Sequence, residues 1–533
     1  MQYSYIHIRL LANALPEVFR HEMNAVRSQA RSLILAIDQG TTSTRCLAFD
    51  SRGFVAYNSV LEFPQIYPNA GWVEHDPEAI FGSVLSCIAN LQLKPDDAIS
   101  AVGITNQRET IVAWDRYTGE PLHNAIVWLD SRTSDMVATV AATSPLGVNK
   151  YREITGLPLS TYFSSLKIRW LIDNVHRVSA AVKAKSCCFG SIDSYLTYRL
   201  TGCKIHVTDC TNASRYNLMD ISRLEWSTEV CEDLGIPIES LPRIISNSEM
   251  VGAIDGSIVS RLSGVPITSL IGDQHAALLG HGCVEKGRCK ITYGTGCFLL
   301  MNSGEERIES KSGGLLTTLG YQLGPEAKPI FALEGSVASA GRSLEWAKTN
   351  LRIGENLKEF NEIASSVPDT VGVTFVPAFS GLFAPYWRPD ARAVIVGMSL
   401  RSNYRHIARA ILEATAVQCA EVTKLIESDG DISINSIVTD GGMTKSDLLM
   451  KIQADLLAKT VLRAKMTEST AFGAAYAAGL AINFWGEQTL SSILSNVGGH
   501  DVFSPTMSSL ERDRIFERWE DAVARSLNMS QFV

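Results

Sequence analysis

The feature that most constrains this chain is a motif that occurs twice. Residues 33–50, LILAIDQGTTSTRCLAFD, place two apolar runs (33–37 and 46–49) on either side of a polar turn. That pattern predicts two neighbouring strands joined by a short loop. The loop offers Gly40, Thr41, Thr42 and Ser43, with Asp38 at its entrance and Arg45 at its exit. Backbone N–H groups of a glycine-bearing turn and small hydroxyls suit phosphate oxygens, and the carboxylate beside them suits a hydrated Mg²⁺. Residues 289–301, CKITYGTGCFLLM, repeat the design of strand, Gly-Thr-Gly turn and strand. One such turn alone reads equally well as an ordinary hairpin. Two of them imply a duplicated architecture in which each half grips one end of a nucleoside triphosphate.

Length and charge bound the rest. A chain of 533 residues is too long for one core, and about two to four domains are expected. A net charge of −8 gives no basis for a nucleic-acid or anionic-membrane partner. The eleven cysteines are scattered, with no Cys-x-x-Cys or Cys/His spacing. They read as buried reduced thiols, not as a zinc site. No run is long and apolar enough for a transmembrane segment. The Ala/Gly-rich stretch 471–480 suits close helix packing instead. The first 31 residues carry Arg9, Arg20, Arg27 and Arg31 but also Glu17, Glu22 and Pro16, a partial fit to a mitochondrial presequence. Met23 is an alternative start. The expectation is a disordered extension, a cytoplasmic location and a mitochondrial association left open.

Taken in order, residues 64–77 read as a loop, and Asp76-Pro77 caps and opens a helix. A strand over 99–104 runs into Thr105-Asn106-Gln107-Arg108-Glu109, and strand ends are where α/β folds place ligands. Arg108 donates and Glu109 accepts, so together they suit the hydroxyls of a neutral polyol; a surface ion pair is the plainer reading. Strands over 111–114 and 125–128 follow. Tyr162 precedes a helix whose Leu166, Trp170 and Leu171 share one face, with Trp170 assigned to the core. Residues 189–200 read as amphipathic and 207–214, VTDCTNAS, as a polar loop.

Residues 267–279, ITSLIGDQHAALL, deliver Asp273 and Gln274 from a strand into an Ala/Leu helix. Asp273 is placed to take a proton from a substrate hydroxyl and Gln274 to orient the same alcohol; the alternative is a helix cap. His275 and His281 have no ligand spacing. Residues 334–346 read as the helical opening of the second half, and 437–448 as strand, Gly-Gly turn and helix start. Lys445-Ser446 lacks the glycine of a Walker motif. The tail after Ser504 reads as a charged, solvated helix.

These residues resemble the FGGY family of carbohydrate kinases from about Leu33 onward. Two long family patterns carry the resemblance. One is Tyr162-Phe163-Ser164 with Lys167, Trp170 and Asp173-Asn174; the other is 393–397 followed by His406-Ile407, Ala410-Ile411 and Leu412-Glu413. DQGTTSTR, GWVEHDP, GITNQRET, NAIVW, GDQ and YGTGCF narrow it to members that phosphorylate glycerol. The resemblance implies an α/β fold of two actin-like (ribonuclease H-like) domains flanking a catalytic cleft. The expected divisions are 1–31, 32–283, 284–500 and a helical tail over 501–533.

The resemblance further implies ATP and Mg²⁺ as cofactors and glycerol as acceptor, yielding sn-glycerol 3-phosphate. It assigns Asp273 as general base and Arg108, Glu109, Trp128, Tyr162, Asp273, Gln274 and Phe298 to glycerol. Thr41, Thr42, Ser43 and Arg45 would meet the phosphates. Thr295, Gly341, Glu345, Gly442 and Ser446 would line the nucleotide site, and Asp38 would lie near Mg²⁺. Glu345, Ser446 and His275 depart from residues frequent in the family. The Gly-Gly-Thr-Arg loop tied to sugar-bisphosphate inhibition is not evident. A kinase for another polyol or ketose, or a non-catalytic nucleotide-binding relative, stands as the alternative. A homodimer or homotetramer is compatible with the chain.

Overall fold

A computed structural model describes residues 31–379, 381–388 and 390–529. Apart from Arg31, the expected N-terminal extension lies outside the described residues.

Each of the two hairpins seeds a sheet. In the first half, Ser32–Gln39 pairs antiparallel with Ser43–Phe49, which pairs antiparallel with Val55–Glu62. On its other edge Ser32–Gln39 pairs parallel with Ala98–Asn106, and that strand pairs parallel with Pro266–Gly272. The second half repeats this order with Ile330–Val337, Cys297–Gly304, Cys289–Tyr293, Ser436–Asp440 and Thr460–Ala464. The pairing senses repeat as well. Central parallel strands are covered on both faces, as their unbroken apolar runs require; Leu33 to Ile37 are all fully buried.

Helix Pro77–Asn90 begins where expected, with the Asp76 carboxylate accepting from the Glu78 N–H at 2.9 Å. Helix Ser469–Ala481 is apolar around most of its circumference and packs on the first sheet, although it follows the strands of the second. It crosses helix Asp273–Gly280 with almost no separation. A Cβ on Gly473 would lie 1.9 Å from the Ala276 carbonyl oxygen, and one on Gly280 would lie 1.9 Å from that of Ser469. The Ala/Gly composition of 471–480 is therefore a packing requirement.

Four local readings are corrected. Residues 207–214 are a buried strand, Val207–Asp209, followed by a helical turn, Cys210–Ala213. Their polar groups satisfy one another: Asp209 Oδ1 accepts from the Thr211 N–H at 2.7 Å and from Asn247 Nδ2 at 2.8 Å. Residues 334–337 end a strand, and the helix begins only at Gly341. The C-terminal helix Ser509–Ser526 is not merely a solvated cover. It buries Phe516, Trp519, Ala522 and Val523 against the second core, and the Trp519 indole donates to Glu421 at 2.8 Å. Trp170 is only half-buried, its ring edge-on to Trp72 at 5.2 Å. All eleven cysteines are free thiols, and ten of them are buried. No helix among the described residues is long and apolar enough to cross a membrane.

Candidate active site

Three adjacent strands of the first sheet are parallel, so their C-terminal ends emerge side by side. Asp38 lies opposite Thr105, and Gly272 lies opposite Asn106. Asp38, Arg108 and Asp273 therefore converge from positions far apart in the chain. A cavity of about 210 Å³ opens there, lined by Asp38, Gly40, Thr41, Thr42, Ser43, Arg45, Asp273 and Gln274. Arg45 is tied to Glu468 from the second half at 3.2 Å.

Behind Asp273 runs a buried chain of alternating charge. Arg108 Nε lies 3.3 Å from the Asp273 carboxylate. Its two terminal nitrogens donate in bidentate fashion to Glu334 at 2.8 and 2.9 Å. Arg215 lies 3.2 Å from Glu334 and donates to Glu109 at 2.6 Å. Arg108, Arg215, Glu109 and Glu334 are each at most 3% exposed, so the surface ion-pair reading of Arg108-Glu109 fails. Glu109 holds a left-handed backbone (φ +60°), costly for a residue with a Cβ, and the Ser164 hydroxyl pins its carbonyl at 3.1 Å. Arg215 and Glu334 were missed by sequence reasoning. Their only signal is charge inside otherwise apolar or small-residue stretches.

Aromatic rings form one wall. Trp128 stands edge-on to Tyr162 at 5.7 Å and to Phe298 of the second half at 6.0 Å. The Trp128 indole donates to Thr41 Oγ1 at 2.9 Å, joining this wall to the phosphate-type turn. The Tyr162 and Phe163 carbonyls are held by the buried Lys167 ammonium, at 2.5 and 3.3 Å. Gln274 is reached from the second half by Lys290.

Electrostatics separate the carboxylates. Burial pushes Asp38 up to about 7, partly offset by Arg45, and Asp273 and Glu468 add to the rise. Burial also raises Asp273, with Arg108 pulling the other way. Glu334 is held down at about 2: burial opposes its charge, but Arg108 and Arg215 outweigh it. No cluster of three or more metal-ligating side chains occurs among the described residues. Mg²⁺ that keeps waters and phosphate oxygens needs only one or two carboxylates, so Asp38, strained by burial and by the nearby Asp273, fits such an ion.

The second half repeats the construction. The carbonyl of Thr295, in its exposed turn, accepts from the N–H groups of Ala340 and Arg342 at 2.9 and 3.2 Å, at the start of helix Gly341–Leu351. Gly341 is needed here because a Cβ would meet the Gly294 oxygen at 2.7 Å. A second cavity of about 200 Å³ is lined by Gly341, Leu344, Glu345, Lys348, Met443 and loop 353–357. Glu345 pairs with Lys348 at 3.1 Å. Gly442 faces open space at the next turn. Ser446 does not line this cavity: its hydroxyl caps helix Asp447–Leu457 and donates to Asn361 at 2.6 Å.

The FGGY carbohydrate kinase N-terminal domain matches residues 33–280, and the C-terminal domain of the same family matches 289–482. The chain belongs to the FGGY family of carbohydrate kinases. Among curated FGGY proteins it is 46% identical to a glycerol kinase of Saccharopolyspora erythraea, over 93% of this chain and 99% of that one. A glycerol kinase of Brucella anthropi is 47% identical, over 92% of this chain and 98% of that one. A crystal structure of Plasmodium falciparum glycerol kinase with ADP superposes with a TM-score of 0.86 at 38% identity, covering 93% of this chain and 98% of that one. Gluconate kinase from Lactobacillus acidophilus shares the fold at 22% identity (TM-score 0.82), covering 94% of this chain and all of that one.

Proposed function

We propose that this chain transfers the γ-phosphoryl group of ATP to glycerol, giving sn-glycerol 3-phosphate for glycerol catabolism and glycerolipid supply. The observation that carries the reading is the position of Asp273. Its carboxylate faces the phosphate-type turn in one cavity and touches Arg108 at 3.3 Å. The relatives at 46 and 47% identity supply the acceptor's name.

Phosphoryl transfer asks for positioning and charge neutralisation more than for covalent chemistry. Arg108 and Glu109, each pinned from behind, offer a donor and an acceptor to the polyol hydroxyls. Trp128, Tyr162 and Phe298 cover the carbon edge and keep water from the reacting oxygen. Asp273, made a stronger base by its burial, accepts the hydroxyl proton late in the transfer. Thr41, Thr42, Ser43 and Arg45 meet the phosphates. Thr295, Gly341, Glu345 and Gly442 line the nucleotide from the second half. Asp38 would hold Mg²⁺, which when bound supplies positive charge to the phosphate oxygens.

Asp273→Asn tests the central role. The expected result is a fall in kcat of about 10²–10⁴, with ATP binding and the circular-dichroism spectrum retained. An unchanged kcat removes Asp273 from that role.

A further inference from the structure

Lys290 is fully buried on the strand Cys289–Tyr293. Cys289, Ile291 and Tyr293 of that strand join the core of the second half. Strand alternation turns Lys290 and Thr292 to the opposite face, toward the first half. There the Lys290 ammonium donates to Thr292 Oγ1 at 2.8 Å and to the side-chain oxygen of Gln274. Burial, the largest influence, and Arg108 push Lys290 below its ordinary value, partly offset by the carboxylates of Asp440, Asp273 and Glu334.

An ammonium group is a donor only, so its partner on Gln274 is the amide oxygen and never the NH₂. That fixes the amide about its last torsion. The NH₂ group is left for the cavity that Gln274 shares with Asp273.

We propose that Lys290 is a positioning residue of the phosphoryl-acceptor site, holding the Gln274 amide so that its NH₂ donates to the same hydroxyl oxygen whose proton Asp273 accepts. The inference rests on the acceptor-site reading above. A hydroxyl has one proton and two lone pairs. The proton goes to Asp273, one lone pair accepts from Gln274, and the other forms the bond to phosphorus as the bond to the departing ADP breaks. Lys290 belongs to the second half and Gln274 to the first, so this orientation exists only while the halves are together.

The test is steady-state kinetics of the full chain with ATP-Mg²⁺ and glycerol, comparing wild type with Lys290→Met, Lys290→Arg and Gln274→Glu. Lys290→Met is expected to lower kcat/KM for glycerol roughly tenfold or more, the scale of a lost charge-assisted hydrogen bond. KM for ATP should stay within about twofold of wild type, since Lys290 acts here only through Gln274. Lys290→Arg keeps a donor-only cation and should recover most of the loss. Gln274→Glu keeps an acceptor for Lys290 but has no NH₂ to give, and should lose as much as Lys290→Met. These last two variants decide the matter even if Lys290→Met does not fold. An unaltered kcat/KM in Lys290→Met or Gln274→Glu overturns the inference. So does an equal loss for ATP and glycerol with no rescue by arginine, which marks a purely structural lysine. Should wild type use another acceptor, the same comparison on that acceptor tests Lys290 while the glycerol reading falls. Absence of turnover with every acceptor overturns both.

Discussion

At the scale of single residues, the site is organised by a line of charges rather than by one reactive group. Asp273, Arg108, Glu334, Arg215 and Glu109 alternate in sign, and Asp273 lines the cavity beside the phosphate-type turn. Buried ion pairs contribute little net stability, but leaving one partner alone is costly, about 3–5 kcal/mol. Glu334→Gln is expected to destabilise the chain by roughly that amount near neutral pH. Glu334 is depressed in the fold from its ordinary 4.5 to about 2. Its contribution is therefore complete above 4.5 and lost as pH falls toward 2. Denaturant unfolding across that window should show a shallower acid loss in Glu334→Gln than in wild type; identical slopes contradict the pairing. Arg108, Glu109 and Asp273 were legible because each stands at a strand end beside another polar residue. Glu334 was not, because its partner Arg108 lies 226 residues away and nothing local distinguishes its strand from the helix that follows.

At the scale of elements, the contact between helices Asp273–Gly280 and Ser469–Ala481 sets where Asp273 stands. Gly473→Ala places a methyl against a backbone oxygen that has no room to move. Overpacking of this kind costs typically about 1–3 kcal/mol, and the melting temperature should fall accordingly. Because the displaced helix begins at Asp273, kcat for glycerol should fall too. A variant with unchanged melting temperature and kcat shows that the helices separate freely. The sequence announced this contact through its run of small residues. It concealed the turn at 207–214, where polar residues read as loop are fully satisfied by neighbours such as Asn247. It also concealed the buried stripe of the C-terminal helix. Phe516, Trp519 and Val523 keep helical spacing, but the charged residues between them dominate the composition.

At the scale of the whole molecule, two sheets repeat one strand order, each with a Gly/Thr turn joining its central hairpin. The repeated hairpin was enough to read this duplication, because a strand–turn–strand signature is local. The division of labour was not readable from spacing alone. Glu468, Lys290 and Glu334 all reach from the second half to polar groups of the first. Ligands that bridge the halves should therefore stabilise both together. ATP-Mg²⁺ with glycerol, each at about 100 times its dissociation constant, should add roughly 2.7 kcal/mol per ligand in a single cooperative transition; two separate transitions contradict a joint cleft. The central claim is the acceptor, and a coupled assay of ADP release tests it most directly. Glycerol is compared with xylulose, ribulose, gluconate and no acceptor, all with ATP-Mg²⁺. Release that is strong with glycerol and near background with the sugars is the predicted result. Release driven by a sugar and not by glycerol would contradict the reading of Arg108, Glu109 and Asp273 as a glycerol site.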